Sequence, residues 1–435
     1  MSEVTTIYCP SDKELRTYQR AGVMHLLSGQ RKMLFDDMGL GKTAQAIVAV
    51  NSKKVRRILV FCPPAVRYNW ELEFYNWSVF DYKVQVLVGL MDRIDDRANV
   101  VICSYSLVQS PMIQDQLKDF LPSATIIDEI HWLKNSKAKR TKICMNVATK
   151  SPIVYGLTGT PMTVAPIDLF PIVNKLGIEY FTKIEREWFN YTKRYCARYK
   201  GKFGWVVDGA CNLRELKDRL FKSGFCMRRL KTDVLDDLPE KTYNLIPLNC
   251  KREINSVVDP FTVDYETVKG LPAGELAQLR KEVGIAKVDY AIEHIKDRLL
   301  EYDKLIVFAW HKEVVTRLSE EFSDCSVTYD GSTTAYHKAA NLKSFTNDPS
   351  CKVFIANITS AGTGLNGLQK IASSAVFVEP PWNASDLHQA SDRLHRMGQR
   401  LNVLIDVLVL RSTIDERVMS AILKKDRQFN RVFGS

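Results

Sequence analysis

Short runs of apolar residues recur along two stretches of the chain, with polar or helix-like segments between them. The runs are rich in β-branched or aromatic residues, which is typical of buried parallel strands. Between about residues 15 and 160 they are RKMLF (31–35), RRILVFC (56–62), NVVICSY (99–105), ATIID (124–128) and PIVYGLTG (152–159). From about residue 300 onward they are KLIVFAW (304–310), CSVTYDG (325–331), KVFIAN (352–357), AVFVEP (375–380) and NVLIDVLVL (402–410). Strands that alternate with helices in this way predict parallel α/β folding.

The part of the chain between these stretches has a different pattern. Residues 162–300 carry helical spacing and many charges, GKFGWVVDG (201–209) predicts a hairpin bounded by glycines, and Pro239 predicts a hinge within 235–242. We therefore expect the α/β class, with two parallel-sheet lobes and helical insertions between them. The expected domains are an N-terminal lobe over 1–235 with an insertion over about 162–235, a linker and helical segment over 236–300, and a C-terminal lobe over 301–435.

Length and composition exclude several classes of protein. The 435 residues are 46% hydrophobic, 10% aromatic and 26% charged, which is a folded rather than a disordered composition. Length alone suggests two or three domains. No apolar run approaches the roughly 18 residues that a membrane span needs. The opening MSEVTTIYCP has no basic flank followed by an apolar stretch, so no secretory signal is expected.

Cysteine spacing and net charge indicate the redox compartment and the class of binding partner. The ten cysteines include no CxxC pair and none with a nearby histidine at zinc-ligand spacing, so we expect a reduced compartment and no structural zinc. The 61 Lys and Arg residues against 50 Asp and Glu give a formal net charge of +11. A basic balance favours a polyanion partner, although by itself it scarcely distinguishes nucleic acid from other possibilities.

The segment DDMGLGKT (36–43) predicts a phosphate-binding loop. It follows the strand-like RKMLF and precedes a helix-like run, so loop N–H groups and the helix N-terminus point to one place. Lys42 is expected to reach the β- and γ-phosphates of ATP, and the Thr43 hydroxyl to bind Mg²⁺. Asp36 stands where the general GxxxxGK[ST] pattern has its first glycine. The expected nucleotide contacts from this segment are Met38, Gly39, Leu40, Gly41, Lys42 and Thr43.

An acidic pair follows the strand-like ATII. Asp128 is expected to hold Mg²⁺ and Glu129 to polarise the attacking water. An acidic pair can also interact favourably with the dipole at a helix N-terminus. Without the phosphate loop in the same lobe, that simpler interpretation would be preferred over a catalytic one. His131 is either a polar neighbour or a participant.

The second lobe carries two further candidate segments. QASDRLHRMGQR (389–400) places Arg393 and Arg396 three residues apart, which predicts one helix face and suits positive charge directed at a γ-phosphate. A solvated charged face is the ordinary alternative. SAGTGLNG (360–367) is a glycine-rich turn after a strand, and its backbone N–H groups could bind a nucleic-acid phosphate.

The ordered set of these segments resembles the superfamily-two ATPase engine of the Swi/Snf remodellers. The set is ELRTYQ, DDMGLGKT, IIDEIH, GLTGTP, CMRRLKTDVLDDLP, KLIVFAWH, YDGST, NITSAGTGLNGLQ and QASDRLHRMGQ, spread over about residues 14 to 425. DDMGLGKT and the stretch from YTKRYC to RRLKTDVL most resemble the annealing-helicase (HARP-type) branch. Asp36 is a variant found in the family itself. The chain resembles a minimal motor, of a size compatible with a phage or bacterial protein.

The resemblance implies roles for individual residues and the cofactors ATP and Mg²⁺. Gln19 would read the adenine edge, and Gln389 would bridge two RecA-like lobes. Arg393 and Arg396 would act on the phosphates from the second lobe. The residues expected to contact DNA, or to couple nucleotide state to it, are Thr158, Gly159, Thr160, Thr359, Ser360 and Gly364.

Basic residues elsewhere have simpler explanations. Phosphate contacts and solvated surfaces explain the clusters at 53–57 and 137–142 almost equally well. From Tyr191 to Trp205 basic and aromatic residues interleave, which fits either base stacking at a fork or ordinary packing at helical spacing. Arg228, Arg229 and Lys231 are expected to structure the lobe junction.

These features together predict an ATP-dependent double-stranded DNA translocase that drives annealing, branch migration or fork remodelling in DNA repair, recombination or replication. The alternatives are a strand-separating DNA or RNA helicase and a DNA-binding scaffold that uses ATP as a switch. The expected partner is duplex, forked or branched DNA. No association with a membrane is expected, and the protein is expected to be a monomer. The expected location is the cytoplasm at the nucleoid, or the nucleus if the source is eukaryotic.

Overall fold

The computed structural model describes residues 6–163, 165–201, 204–207, 209–235, 237–249, 273–331, 333–361 and 367–433. These residues divide into two compact units. The first takes in the described residues of Met1–Val234 and Arg427–Ser435, and the second those of Leu235–Asp426. No helix among the described residues is long and apolar enough to cross a membrane.

The first unit is built on a seven-stranded, wholly parallel sheet in the order β3-β4-β2-β5-β6-β1-β9. Its strands are β1 (Arg31–Leu34), β2 (Ile58–Cys62), β3 (Val84–Val86), β4 (Val100–Ser104), β5 (Ala124–Asp128), β6 (Ile153–Leu157) and β9 (Cys226–Met227). Its helices are α1 (Thr17–Leu27), α2 (Lys42–Ser52), α3 (Arg67–Trp77), α4 (Pro111–Phe120), α5 (Lys139–Lys150), α6 (Phe170–Leu176), α7 (Trp188–Tyr195), α8 (Leu213–Phe221) and α9 (Lys231–Val234). A separate antiparallel pair, β7 (Arg198–Gly201) and β8 (Gly204–Val207), forms a hairpin that begins before the predicted segment 201–209 and overlaps it.

Alternate residues of each central strand enter different cores. Leu59 and Phe61 of β2 pack into one hydrophobic cluster, and Ile58 and Val60 pack into another. Because successive side chains of a strand point to opposite faces, helices must cover both faces of this sheet. All five residues of β2 are consequently buried.

The second unit contains a six-stranded parallel sheet in the order β10-β15-β14-β11-β13-β12. Its strands are β10 (Lys241–Leu248), β11 (Leu305–Ala309), β12 (Ser326–Tyr329), β13 (Val353–Asn357), β14 (Ser374–Phe377) and β15 (Val403–Leu410). Its helices are α10 (Ala273–Ala286), α11 (Val288–Glu301), α12 (Lys312–Glu321), α13 (Ala335–Asn347), α14 (Ile358–Ala361), α15 (Ala384–Ser391) and the start of α16 (Ile414–Phe433). The predicted α/β class with two parallel sheets is confirmed.

Three strands were not predicted from the sequence: β3, β9 and β10. β10 lies within the segment interpreted as linker and helix, and pairs with β15 from Lys241↔Val403 to Leu248↔Leu410. It is an edge strand whose residues are exposed or half-buried, with Leu245 exposed, so it lacks a continuous apolar run. Pro247 lies within it, which an edge strand tolerates because one side of its backbone needs no partner.

Candidate functional site

The phosphate loop joins β1 to α2 at the carboxyl edge of the first sheet. β1 ends at Leu34 and α2 begins at Lys42. Gly39 and Gly41 have φ angles of 83° and 75°, in the left-handed region that glycine adopts without strain. The segment predicted to contact nucleotide therefore curls around the N-terminus of α2, where backbone N–H groups and the helix dipole favour a phosphate.

The Lys42 ammonium lies beneath this loop. Its Nζ donates hydrogen bonds to the carbonyl oxygens of Asp36, at 2.7 Å, and Asp37, at 3.0 Å. Burial lowers the pKa of Lys42, while the carboxylates of Glu129 and Asp36 act in the opposite direction. The cation is thus held among carboxylates in the position from which a lysine of this loop reaches phosphates.

Gln19, on α1, packs against the same loop and is 6% exposed. Its Oε1 accepts from the Arg16 N–H at 2.9 Å, and its Nε2 lies 3.4 Å from the Leu40 carbonyl oxygen. A Cβ at Gly41 would come within 2.5 Å of that nitrogen, so a larger residue could not occupy this position without displacing Gln19. The structure brings Gln19 to the loop, and its contact with adenine stays a prediction.

The acidic pair ends β5 at the same sheet edge. Only β6 separates β5 from β1 in the sheet. Glu129 has φ 48° and ψ 52°, a left-handed conformation that costs a non-glycine residue about 1–3 kcal/mol. The following residues form a short 3₁₀ helix, Ile130–Leu133. Because of this turn, the carboxylates of Asp128 and Glu129 have different hydrogen-bond partners, so the two residues can have different roles.

Trp70 and Tyr105 hold Asp128 in place. The Trp70 Nε1–H donates to Asp128 Oδ2 at 2.8 Å, and the Tyr105 hydroxyl donates to the Asp128 carbonyl oxygen at 2.5 Å. Burial, with the charge of Glu129, raises the pKa of Asp128. The Lys42 ammonium acts in the opposite direction, and a divalent cation bound beside Asp128 would favour its carboxylate form further. The oxygen ligands offered by Asp128 and Thr43 are of the kind that Mg²⁺ prefers.

A hydrogen-bond network connects Glu129 to the segment that follows β6. Thr158 Oγ1 donates to Glu129 Oε2 at 2.9 Å, and the Thr160 backbone N–H donates to Thr158 Oγ1 at 3.0 Å. His131 Nδ1 lies 2.8 Å from Thr158 Oγ1 and 3.2 Å from Glu129 Oε2. Burial would raise the pKa of Glu129, but His131, Lys42 and Thr158 outweigh it and lower that pKa. Glu129 is therefore held as a carboxylate.

Gly159 brings this segment into contact with the phosphate loop. A Cβ at Gly159 would lie 2.7 Å from Cγ of Met38 and 3.3 Å from its backbone nitrogen. The close approach requires glycine, because any side chain would push the two segments apart. Thr158 and Thr160 are buried on either side. The structure thus assembles three of the predicted coupling residues beside the nucleotide loop.

Two arginines that sequence reasoning did not assign to this site anchor the phosphate loop. Arg228 Nη2 pairs with Asp37 Oδ1 at 2.6 Å, and Arg228 Nη1 donates to the Phe35 carbonyl oxygen at 2.6 Å and the Gly159 carbonyl oxygen at 3.0 Å. Arg229 forms an ion pair with the fully buried Asp36 and donates its backbone N–H to the same carboxylate at 3.0 Å. Asp36 thus acts as an anchor at the position where other phosphate loops have glycine. In the sequence, these ion pairs were signalled only by two consecutive aspartates and two consecutive arginines.

In the second unit, the candidates that the structure describes follow the carboxyl ends of strands. Thr359 and Ser360 are in α14, directly after β13, and a Cβ at Gly331 would lie 3.9 Å from Ser360 Oγ. Gly364 lies outside the described residues. Gln389 is in α15.

The prediction that Arg393 and Arg396 share a helix face was wrong. α15 ends at Ser391, and both arginines lie in the turns that follow it. The Ser391 hydroxyl donates to the Leu387 carbonyl oxygen at 2.7 Å, and beyond it the Arg393 N–H bonds three residues back, to Ala390. A serine hydroxyl that binds a helical carbonyl competes with the backbone and favours such an ending.

Two family models and several curated proteins match the chain. The SNF2-related domain matches residues 18–264, and the helicase conserved C-terminal domain matches residues 286–398. A Caenorhabditis elegans protein, the "SWI/SNF-related matrix-associated actin-dependent regulator of chromatin subfamily A-like protein 1 homolog", is 30% identical over 98% of this chain and 63% of its own length. The Bos taurus "DNA annealing helicase and endonuclease ZRANB3" is 32% identical over 95% of this chain and 40% of its own length. These matches confirm the resemblance to the Swi/Snf ATPases and their annealing-helicase branch.

A solved structure is also similar, more distantly. The "Sulfolobus solfataricus SWI2/SNF2 ATPase core in complex with dsDNA" has 24% identity and a TM-score of 0.46, covering 97% of this chain and 93% of that one. The match covers 63% of the length of the Caenorhabditis elegans relative and 40% of the length of the Bos taurus relative, so the chain spans only part of each.

Proposed function

The chain belongs to the SNF2-related domain family, and we propose that it is an ATP-dependent motor that translocates on double-stranded DNA. In this proposal, translocation drives annealing, branch migration or fork remodelling during DNA repair, recombination or replication. The observation that carries the proposal is the single sheet edge at which Lys42, Glu129 and the Thr158–Thr160 segment meet.

The first unit supplies the groups that ATP hydrolysis needs. The phosphates bind at the N-terminus of α2, where Lys42 exchanges its two loop carbonyls for the β- and γ-phosphate oxygens. Asp128 and Thr43 would hold Mg²⁺, which would supply positive charge for the phosphates. Glu129, kept ionised by His131 and Lys42, orients and polarises the attacking water.

The network around Thr158 is suited to transmit the state of the nucleotide. Thr158 donates to the water-activating Glu129, and Gly159 touches the phosphate loop. Any displacement of Glu129 or the loop during hydrolysis therefore moves the Thr158–Thr160 segment. We propose that this segment, with Thr359, Ser360 and Gly364 of the second lobe, grips the DNA backbone.

Arginines from the second lobe complete the catalytic site in this proposal. Arg393 and Arg396 act on the γ-phosphate in the transition state, where such a group contributes about 10³–10⁵ in rate. Gln389 bridges the lobes. We propose that hydrolysis opens and closes the two lobes and that each cycle shifts the grip on one strand of the DNA.

The name of one relative supports a motor that acts on DNA. That relative is named a DNA annealing helicase and endonuclease, and this chain aligns with 40% of it. We propose that the shared part is the motor, acting as a monomer on duplex, forked or branched DNA in the compartment that holds the DNA. The endonuclease activity in that name is not extended to this chain.

The ATPase response to different nucleic acids tests the proposal. Steady-state hydrolysis should be compared for the parental protein with plain duplex, single-stranded, forked and four-way DNA, and with RNA. A translocase on duplex DNA is stimulated by plain duplex and at least as much by branched DNA. Stimulation by single strands or RNA alone would support a strand-separating helicase instead. Binding of ATP and DNA with negligible turnover would support an ATP-switched scaffold.

A further inference from the structure

Five of the described aromatic residues between positions 188 and 205 separate into two groups by their exposure. Tyr191 and Tyr195 of α7 are each 1% exposed, with ring centroids 5.2 Å apart, and belong to the hydrophobic core. In contrast, Phe189 is 50%, Tyr199 50% and Trp205 51% exposed. The packing interpretation of the interleaved sequence therefore applies to Tyr191 and Tyr195, whereas the rings of Phe189, Tyr199 and Trp205 remain accessible.

Arg198 arranges two of the exposed rings. Its guanidinium carbon lies 3.7 Å from the centroid of the Phe189 ring and 5.0 Å from that of Trp205. Its Nη1 also donates to the Phe189 carbonyl oxygen at 3.1 Å. Cation–π contacts and a hydrogen bond thus hold an aromatic–cation–aromatic row in a fixed geometry.

The register of the hairpin places a second cation beside this row. Arg198 is opposite Val207 and Lys200 is opposite Trp205. Residues directly opposite share a face, and alternate residues of a strand do too. Arg198, Lys200 and Trp205 therefore lie on one face, which we call the Trp205 face, whereas Tyr199 lies on the other.

The chemistry of the Trp205 face matches unpaired nucleotides. A half-exposed indole offers a π surface on which a base can stack, and Lys200, which is exposed, offers a charge for the adjoining phosphate. Bases of a plain duplex are already stacked on their neighbours, so only single-stranded nucleotides have faces free for such a contact. Stacking needs no particular base, which suits a motor that moves along arbitrary DNA.

We propose that the Trp205 face binds unpaired nucleotides at a junction of branched DNA. A base stacks on Trp205 and the adjoining phosphate contacts Lys200. The inference rests on the proposed function, because it supposes that the chain acts on DNA. It adds a specific surface for the branch, separate from the ATP site and from the segments expected to grip the duplex.

The experiment compares Trp205→Ala with Tyr199→Ala, a matched aromatic on the opposite face with nearly the same exposure. Affinity for a fork with single-stranded arms and for a plain duplex of equal length is measured by fluorescence anisotropy. We expect Trp205→Ala to reduce the fork-over-duplex affinity ratio by about 5- to 100-fold, the range for loss of one stacked base. Tyr199→Ala should leave that ratio within about twofold of the parental value.

Two further variants separate stacking from loss of the hairpin. Trp205→Tyr keeps an aromatic face and should retain most of the ratio. Lys200→Ala should make the negative slope of log affinity for the fork against log salt less steep by about one. If Trp205→Ala retains the parental ratio, or Tyr199→Ala loses as much, the proposal is wrong and the face serves packing or a protein partner. Failure of the proposed function is distinct, because the parental protein would then show no ATP hydrolysis stimulated by duplex DNA.

Discussion

The indole of Trp70 is hydrogen-bonded to the carboxylate of Asp128, with 2.8 Å between Nε1 and Oδ2. Trp70 is 1% exposed and belongs to α3, on an element well removed in sequence from the acidic pair. The bond fixes one oxygen of Asp128 and leaves the other to accept from the Glu129 N–H at 3.0 Å. A carboxylate oriented in this way can meet a cation without first reorganising.

Trp70→Phe should therefore impair catalysis more than folding. The ring keeps most of the buried volume but cannot donate to Asp128. We expect kcat for DNA-stimulated ATP hydrolysis to fall by about 10- to 100-fold, the usual range for loss of a group that orients a metal ligand. The Mg²⁺ concentration needed for half-maximal rate should rise. Trp77→Phe, at the end of the same helix, is the control, and equal effects of the two changes would mean that Trp70 only fills space.

Lys42 and Glu129 should fail in different ways. Lys42→Ala removes the cation that binds phosphates, so both ATP affinity and turnover should be lost. Glu129→Gln keeps the shape of the side chain and removes its charge, so ATP should still bind while hydrolysis falls by at least about 100-fold. Nucleotide binding by fluorescence and single-turnover hydrolysis measure the two properties separately. Hydrolysis by Glu129→Gln at near the parental rate would refute the assignment of Glu129 as the base.

Arg396 should matter for rate and not for DNA affinity. Arg396→Ala should reduce the DNA-stimulated rate by about 100-fold or more, because it removes charge from the transition state. Arg400→Ala, at an exposed arginine four residues further on, serves as the surface control. We expect Arg393→Ala to resemble Arg396→Ala. Small and equal losses for Arg396→Ala and Arg400→Ala would show that Arg396 is ordinary surface charge.

The pair formed by Asp36 and Arg229 should stabilise the first unit. Arg229→Met leaves a fully buried carboxylate without its partner, so the free energy of unfolding should fall by about 3–5 kcal/mol in urea denaturation. The double change Asp36→Asn with Arg229→Met should recover part of this loss, because no buried charge is then left unpaired. At the more exposed pair of Arg31 and Glu179, Arg31→Met should cost only about 1 kcal/mol or less. A loss no larger for Arg229→Met than for Arg31→Met would contradict the anchoring role.

The sequence predicted the central strands well because parallel strands buried on both faces are continuous apolar runs. β10 was missed for the opposite reason, because it is an edge strand whose residues are all exposed or half-buried and form no continuous apolar run. The phosphate loop and the acidic pair were identified because their spacing along the chain reflects the chemistry directly, whereas the threonine segment was identified only through the resemblance to the Swi/Snf ATPases. The helical placement of Arg393 and Arg396 failed because the Ser391 hydroxyl binds a helical carbonyl where α15 ends.

Contacts between distant segments could not be predicted from one sequence. Arg228 is 191 residues from its partner Asp37, and Trp70 is 58 residues from Asp128. An arginine pair or a tryptophan carries no local pattern that identifies such a partner. The same limit applied to the aromatic residues near the hairpin, because spacing alone did not separate the buried Tyr191 from the exposed Trp205.

Displacement of a third DNA strand from a duplex tests the central claim, translocation on double-stranded DNA, most directly. A triplex-forming oligonucleotide is placed at increasing distances along linear duplexes, and its release is followed after ATP is added. The parental protein should release it only with ATP, after a delay that grows with the length of duplex to be crossed, and Glu129→Gln should release none. Strong hydrolysis stimulated by the duplex, with no third-strand release at any distance, would contradict the account.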